Sequence, residues 1–182
     1  MYEKFGQFID GKWSPSSNNE TYEVINPATE EVLGHASKAT PADVDQALKS
    51  AEQGLKVWKK TPPWQRSYVL RKIADKLREK KDTLAKWMTL ENGKPLAEGV
   101  GETNGAADIF EWNAEETKRI FGQTIESRFE DTRVHVYYQP VGVVAALSPW
   151  NFPLILAARK ISTALAAGCS VIIKPDTITP GV

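Results

Sequence analysis

The sequence predicts an α/β fold that begins a doubly wound parallel sheet, and three observations carry that expectation. Residues 141–147 and 171–173 are short, almost wholly apolar runs, as in strands buried within a parallel sheet. Residues 153–167 between them read as a helix, so the order is strand, helix, strand. Ahead of this unit lie four further helical stretches. Two strands do not complete such a sheet, so the chain is expected to be the first part of a larger protein.

Each element follows from local chemistry. Asp10-Gly11 between apolar flanks is a hairpin signal. Tyr22-Glu23-Val24-Ile25 and Glu31-Val32-Leu33-Gly34 bracket a turn at Asn26-Pro27-Ala28-Thr29. Thr40-Pro41-Ala42-Asp43 supplies an N-cap, a proline at the first helical position and the acid of a capping box. Behind it Val44, Ala47, Leu48, Ala51, Leu55 and Trp58 share one helix face. Pro62-Pro63 ends that helix and starts the next, whose stripe is Leu70, Ile73, Ala74 and Leu77. A third helix is expected over residues 82–91, closed by Asn92-Gly93. A fourth is expected over residues 95–121, in which Gly99, Gly101 and Gly105 either permit close packing, the favoured reading, or weaken the helix. Residues 133–139 then alternate like a two-faced strand.

Composition narrows the functional classes. The 182 residues carry 23 basic and 23 acidic side chains, a net charge of zero, which argues against a dedicated nucleic-acid binder. Hydrophobic residues make up 41% and charged residues 25%, as in ordinary globular proteins. Apolar runs are too short to span a bilayer, and residues 1–7 lack the plan of a signal peptide. The one cysteine, Cys169, excludes an internal disulfide and suits a reducing compartment, so the cytoplasm is expected. His35 reads as a surface loop residue and His135 as a strand residue, and no metal-ligand cluster is seen.

The most specific motif is Ser148-Pro149-Trp150-Asn151-Phe152-Pro153, at the carboxyl end of the first apolar strand, where open α/β sheets bind ligands. Its companion is Gly168-Cys169-Ser170-Val171-Ile172-Ile173-Lys174-Pro175. Together with Ile25-Asn26-Pro27-Ala28-Thr29-Glu30, Leu90-Glu91-Asn92-Gly93-Lys94-Pro95 and Gln139-Pro140-Val141-Gly142-Val143, this pair resembles the aldehyde dehydrogenase superfamily, from about residue 8 to the last. The Arg159-Lys160 pair and Phe110-Glu111-Trp112-Asn113-Ala114-Glu115-Glu116 resemble its succinate-semialdehyde dehydrogenase branch. The coenzyme-A-dependent branch tends to carry phenylalanine where Trp150 stands.

The resemblance implies a Rossmann-like NAD(P)-binding domain with amino-terminal helices and a protruding oligomerisation strand. On that plan residues 1–40 form a hairpin arm, 41–122 the helical part, 123–140 the oligomerisation segment and 141–182 the first βαβ unit; the catalytic domain is absent. It implies oxidation of an aldehyde to the acid through a thiohemiacetal and a thioester, with NAD or NADP taking the hydride. It also implies a homo-oligomer, dimeric or tetrameric.

Residue by residue, Asn151 matches the family's oxyanion donor, a neutral group that stabilises developing charge without titrating. Its competing reading is a cap for the helix that starts near Pro153. Lys174 matches the lysine that reaches the cofactor ribose; the competing reading is a solvated lysine. Backbone groups of Leu147, Ser148, Pro149 and Trp150 would border the cofactor, although Trp150 alone reads as a core aromatic. The family commonly has glutamate where Thr177 stands. A carboxylate there repels a 2′-phosphate and threonine does not, so the site leans to NADP. Asp176 restores that repulsion only if the loop twists. Phe152 and Arg159 lie seven apart on one helix face and suit the wall of an aldehyde pocket, where a guanidinium would hold a substrate carboxylate. A core phenylalanine and a surface arginine are the competing readings.

Cys169, between a glycine and an apolar strand, reads as a small buried side chain and not as the nucleophile. The family's nucleophilic cysteine, its general-base glutamate and its phosphate-approaching glycine turn are not in this chain, so it is expected to be inactive alone. The alternative is a non-catalytic relative that binds cofactor or acts as an oligomer-interaction module.

Overall fold

The structure is a computed structural model that describes residues 6–182. The reading of residues 1–5 as lacking a leader lies outside the described residues. Strands β1 (Gln7–Ile9) and β2 (Lys12–Ser14) form the expected hairpin, with Asp10 and Gly11 at φ 54° and 74°, as a tight two-residue turn requires. Strands β3 (Thr21–Ile25) and β4 (Val32–Ser37) pair antiparallel around a turn in which Asn26 Oδ1 accepts the Ala28 amide at 2.9 Å. His35 lies on β4 and not in a loop, paired with Glu23.

Helix α1 (Pro41–Trp58) opens on the capping box of Thr40 and Asp43. The Thr40 amide, the Gln7 side chain and the Ser17 amide also donate to the Asp43 carboxylate and hold it well below the usual carboxylate range. Helices α2 (Pro63–Glu79), α3 (Lys81–Asn92) and α4 (Leu96–Glu116) follow, and Gly93 closes α3. Leu70, Ala74, Met88, Ala106, Ala107, Phe110 and Ala114 from these helices form the core with Leu154 and Ala158. Close approach depends on small residues: a Cβ on Gly99 would stand 3.0 Å from the Ala85 backbone, and one on Gly105 would stand 3.1 Å from Ile155 Cδ1. Gly101 meets nothing, so packing explains two of the three glycines.

The fourth helix stops at Glu116, short of the expected end. A 3₁₀ turn, Thr117–Arg119, follows, fixed by the buried Thr117 hydroxyl, which donates to the Ala166 carbonyl at 2.6 Å. The strand expected over residues 133–139 is also shorter: β6 (Arg133–Val136) pairs antiparallel with β5 (Gln123–Glu126), which the sequence did not reveal. Beyond it Tyr137 and Tyr138 are exposed.

Strands β7 (Val143–Leu147) and β8 (Ser170–Lys174) are parallel and flank α5 (Pro153–Ala166), which is the expected crossover. Helices α1 and α5 both contact this pair. Of β7 only Ala146 is fully buried, and Leu147 is 64% exposed. The apolar run reads as buried, but a two-stranded sheet leaves its edges and strand ends uncovered. Gly168 turns the chain into β8 at φ 87°; a Cβ there would lie 2.6 Å from the Arg66 guanidinium and 2.9 Å from Pro140. No helix among the described residues is long and apolar enough to cross a membrane.

Candidate active site

The site forms where β7 and β8 end together. Leu147 and Lys174 are register partners, and the Ser148 amide extends the ladder by donating to the Lys174 carbonyl at 3.2 Å. The chain then makes a tight turn through Pro149, Trp150 and Asn151 into α5. The Ser148 hydroxyl is buried and spans that turn, donating to the Pro153 carbonyl at 3.0 Å. Trp150 is 51% exposed, so the core-aromatic reading is corrected: its ring has no covering layer at the open strand ends.

Asn151 is exposed and its side chain makes no hydrogen bond among the described residues. The capping reading is therefore corrected as well. The N-cap of α5 is Phe152, with φ −137° and no side-chain cap, and Pro153 takes the first helical position. Phe152 is half-exposed, not core. Arg159 is exposed on α5, while Leu154 and Ala158 of the same helix face the core.

Lys174 is exposed at the end of β8, and Thr177 is exposed in the following loop. Asp176 turns into that loop: its Oδ1 accepts the Ile178 amide at 3.0 Å. It also interacts electrostatically with Tyr22, whose phenol burial, and then Asp176, pushes above its ordinary value. Cys169 is buried, 3% exposed. A cation the sequence did not foresee lies close by: Arg66, whose basicity burial lowers and the nearby Cys169 partly restores.

What holds the Asn151 turn was not foreseen either. Asn92 Nδ2 donates to the Trp150 carbonyl at 2.9 Å. Lys94 Nζ donates to the Asn151 carbonyl at 3.0 Å and stands 4.1 Å from the centre of the Phe152 ring. Lys94 is paired, deep inside, with Glu102 of α4. The other oxygen of Glu102 accepts the amides of Leu154 at 3.0 Å and Ile155 at 3.1 Å. The Leu90–Pro95 motif holds Asn92 and Lys94, and it was legible only as family likeness. A lone glutamate in the glycine-rich stretch of α4 carries no sequence signal for such a contact.

The chemistry of this edge suits a dinucleotide. Two parallel strands end beside the Lys174 ammonium and the Thr177 hydroxyl, neither of which is paired among the described residues, with apolar Leu147 and Ile173 exposed next to them.

Residues 13–182 match the aldehyde dehydrogenase family, and the chain belongs to that family. It is 43% identical over 173 residues to the glutarate-semialdehyde dehydrogenase of Pseudomonas aeruginosa, spanning 95% of this chain and 36% of that protein. It is 43% identical over 172 residues to the succinate-semialdehyde dehydrogenase [NADP(+)] of Escherichia coli, spanning 94% and 36%. A crystal structure of an E. coli NADP-dependent enzyme superposes with a TM-score of 0.95 at 42% identity, covering 99% of this chain and 38% of the other. A betaine aldehyde dehydrogenase of Staphylococcus aureus, solved with NAD+, gives 0.94 at 36% identity, covering 97% and 36%. The chain thus spans little more than a third of the length of these relatives.

Proposed function

We propose that this chain is the cofactor-side part of an NAD(P)-dependent semialdehyde dehydrogenase, which oxidises an aldehyde bearing a terminal anion to the acid. The observation that carries the reading is Asn151: exposed, released from capping, and held by its own carbonyl at the carboxyl end of a parallel sheet. Its side-chain N–H donates to the aldehyde oxygen as negative charge gathers there. A fixed neutral dipole does this with little reorganisation. Lys174 binds the cofactor ribose, and Leu147, Ser148, Pro149 and Trp150 border the cofactor with their backbone. The cofactor, when bound, accepts the hydride.

Arg159 and Phe152 wall the pocket, with the guanidinium holding the substrate's distal anion. The names of several relatives favour this: glutarate semialdehyde, succinate semialdehyde and 3-sulfolactaldehyde all end in a carboxylate or sulfonate. Thr177 leaves room for a 2′-phosphate, and Asp176 is engaged in its own loop, so NADP is preferred. An NADP-dependent relative supports that preference. The nucleophilic thiol and the general base come from elsewhere in the active protein, since Cys169 is buried. Assembly uses the β5–β6 hairpin and the residues just after it, where Ile125, Val134, Tyr137 and Tyr138 are exposed, and the lone cysteine suits the cytoplasm.

The test is Asn151→Ala in the active protein. Loss of one oxyanion donor should lower kcat at least about a hundredfold, by about 2.7–4 kcal/mol, with cofactor affinity unchanged. Turnover at the wild-type rate would sink the reading.

A further inference from the structure

Helices need their first amides satisfied, and asparagine is a residue type that ordinarily does it; Asn151 stands one position before Phe152, the N-cap of α5. Here it does not. The Leu154 and Ile155 amides, second and third in α5, both donate to Glu102, which reaches across from α4. These are the two amides an N-cap side chain would have taken. Glu102 and Lys94 are both almost wholly buried, so the carboxylate is held by an ammonium that in turn grips the Asn151 carbonyl.

Resting on the oxyanion role proposed above, we propose that Glu102, held by Lys94, is a positioning residue. It caps α5 from outside, and so leaves the Asn151 side chain free to face the reacting carbonyl. The turn is then fixed residue by residue: the Trp150 carbonyl by Asn92, the Asn151 carbonyl and Phe152 ring by Lys94, the Leu154 and Ile155 amides by Glu102. Without Glu102 the buried Leu154 amide and the half-buried Ile155 amide lose their acceptor, and the Asn151 amide oxygen is the nearest side-chain replacement in sequence. Asn151 would swing from substrate to cap.

The experiment uses the active enzyme that contains this chain. Glu102→Asp keeps the charge beside Lys94 but shortens the reach to α5, and Glu102→Ala removes both. Glu102→Asp should lower kcat about tenfold or more, within the range that misplacing a catalytic group costs. Cofactor KM should hold within about twofold, and the Leu154 and Ile155 amides should exchange faster with solvent. In an Asn151→Ala background the same change should cost less than about twofold, because the group it positions is already gone. An equal fold-loss in both backgrounds, a wild-type kcat despite faster exchange, or unchanged exchange in both Glu102 variants overturns the inference alone. A wild-type kcat in Asn151→Ala by itself overturns the oxyanion reading, and this inference with it.

Discussion

Glu91 predicts how this chain's stability depends on pH. It lies on α3 with no exposed surface, and it accepts the Gly181 amide at 3.3 Å. Burial raises its pKa from 4.5 to about 7, against the opposing effect of the Gly181 and Val182 amides. Between those two values the folded chain holds a proton that the unfolded chain has released. Stability contributed by this group is therefore complete below pH 4.5, falls as pH rises towards 7, and is flat above it. At about 1.4 kcal/mol per tenfold change in proton affinity, that rise in pKa is worth about 3 kcal/mol. Glu91→Gln replaces the protonated acid by a neutral group of the same shape that still offers an oxygen to Gly181. The variant should match the parent near pH 4.5 and exceed it by up to about 3 kcal/mol at pH 8. Urea unfolding followed by circular dichroism from pH 4.5 to 8.5 measures both curves. Parallel curves, or a variant less stable than its parent at pH 8, would refute the reasoning that the folded state holds this carboxyl neutral.

Three further outcomes are expected. Thr177→Glu should move the kcat/KM ratio towards NAD by about tenfold, since a carboxylate faces the 2′-phosphate; an unchanged ratio would place the cofactor choice elsewhere. Arg159→Ala should erase the preference for succinate semialdehyde over an uncharged aldehyde of equal length, a loss of about 1.5–3 kcal/mol in kcat/KM; parallel losses on both aldehydes would remove Arg159 from the pocket. Gly168→Ala forces an L side chain to φ 87° and into Arg66 and Pro140, and should lower stability by about 2–4 kcal/mol by chemical denaturation; a loss under about 0.5 kcal/mol would contradict the close packing.

Elements whose cause is local were legible in the sequence. The Asp10-Gly11 turn, the Thr40–Asp43 capping box and the Gly93 stop each depend on residues within a few positions, the β7–α5–β8 crossover follows from three consecutive segments, and each stands as expected. Strand β5 was not legible: Gln123-Thr-Ile-Glu is short, exposed throughout and paired only to β6. The end of α4 was missed because a contact 49 residues away, Thr117 with Ala166, turns the chain there. Burial of charge was missed most, at Arg66, Glu91, Lys94 and Glu102, because composition places such residues on the surface by default.

The same division runs through the site. Its chemical groups lie in two motifs that can be read directly, Ser148–Pro153 and Gly168–Pro175. The geometry of those groups is decided elsewhere. Asn151 had two readings that one motif could not separate, because a cap and an oxyanion donor use the same amide in the same place. The contacts that hold this turn come from 52 to 58 residues upstream, through Asn92, Lys94 and Glu102. An apolar pair at positions 94 and 102 could pack as well, but would take from the Asn151 carbonyl and the Leu154 and Ile155 amides the partners they have now. The buried ion pair offsets its desolvation in part through the three backbone groups of this turn that it satisfies.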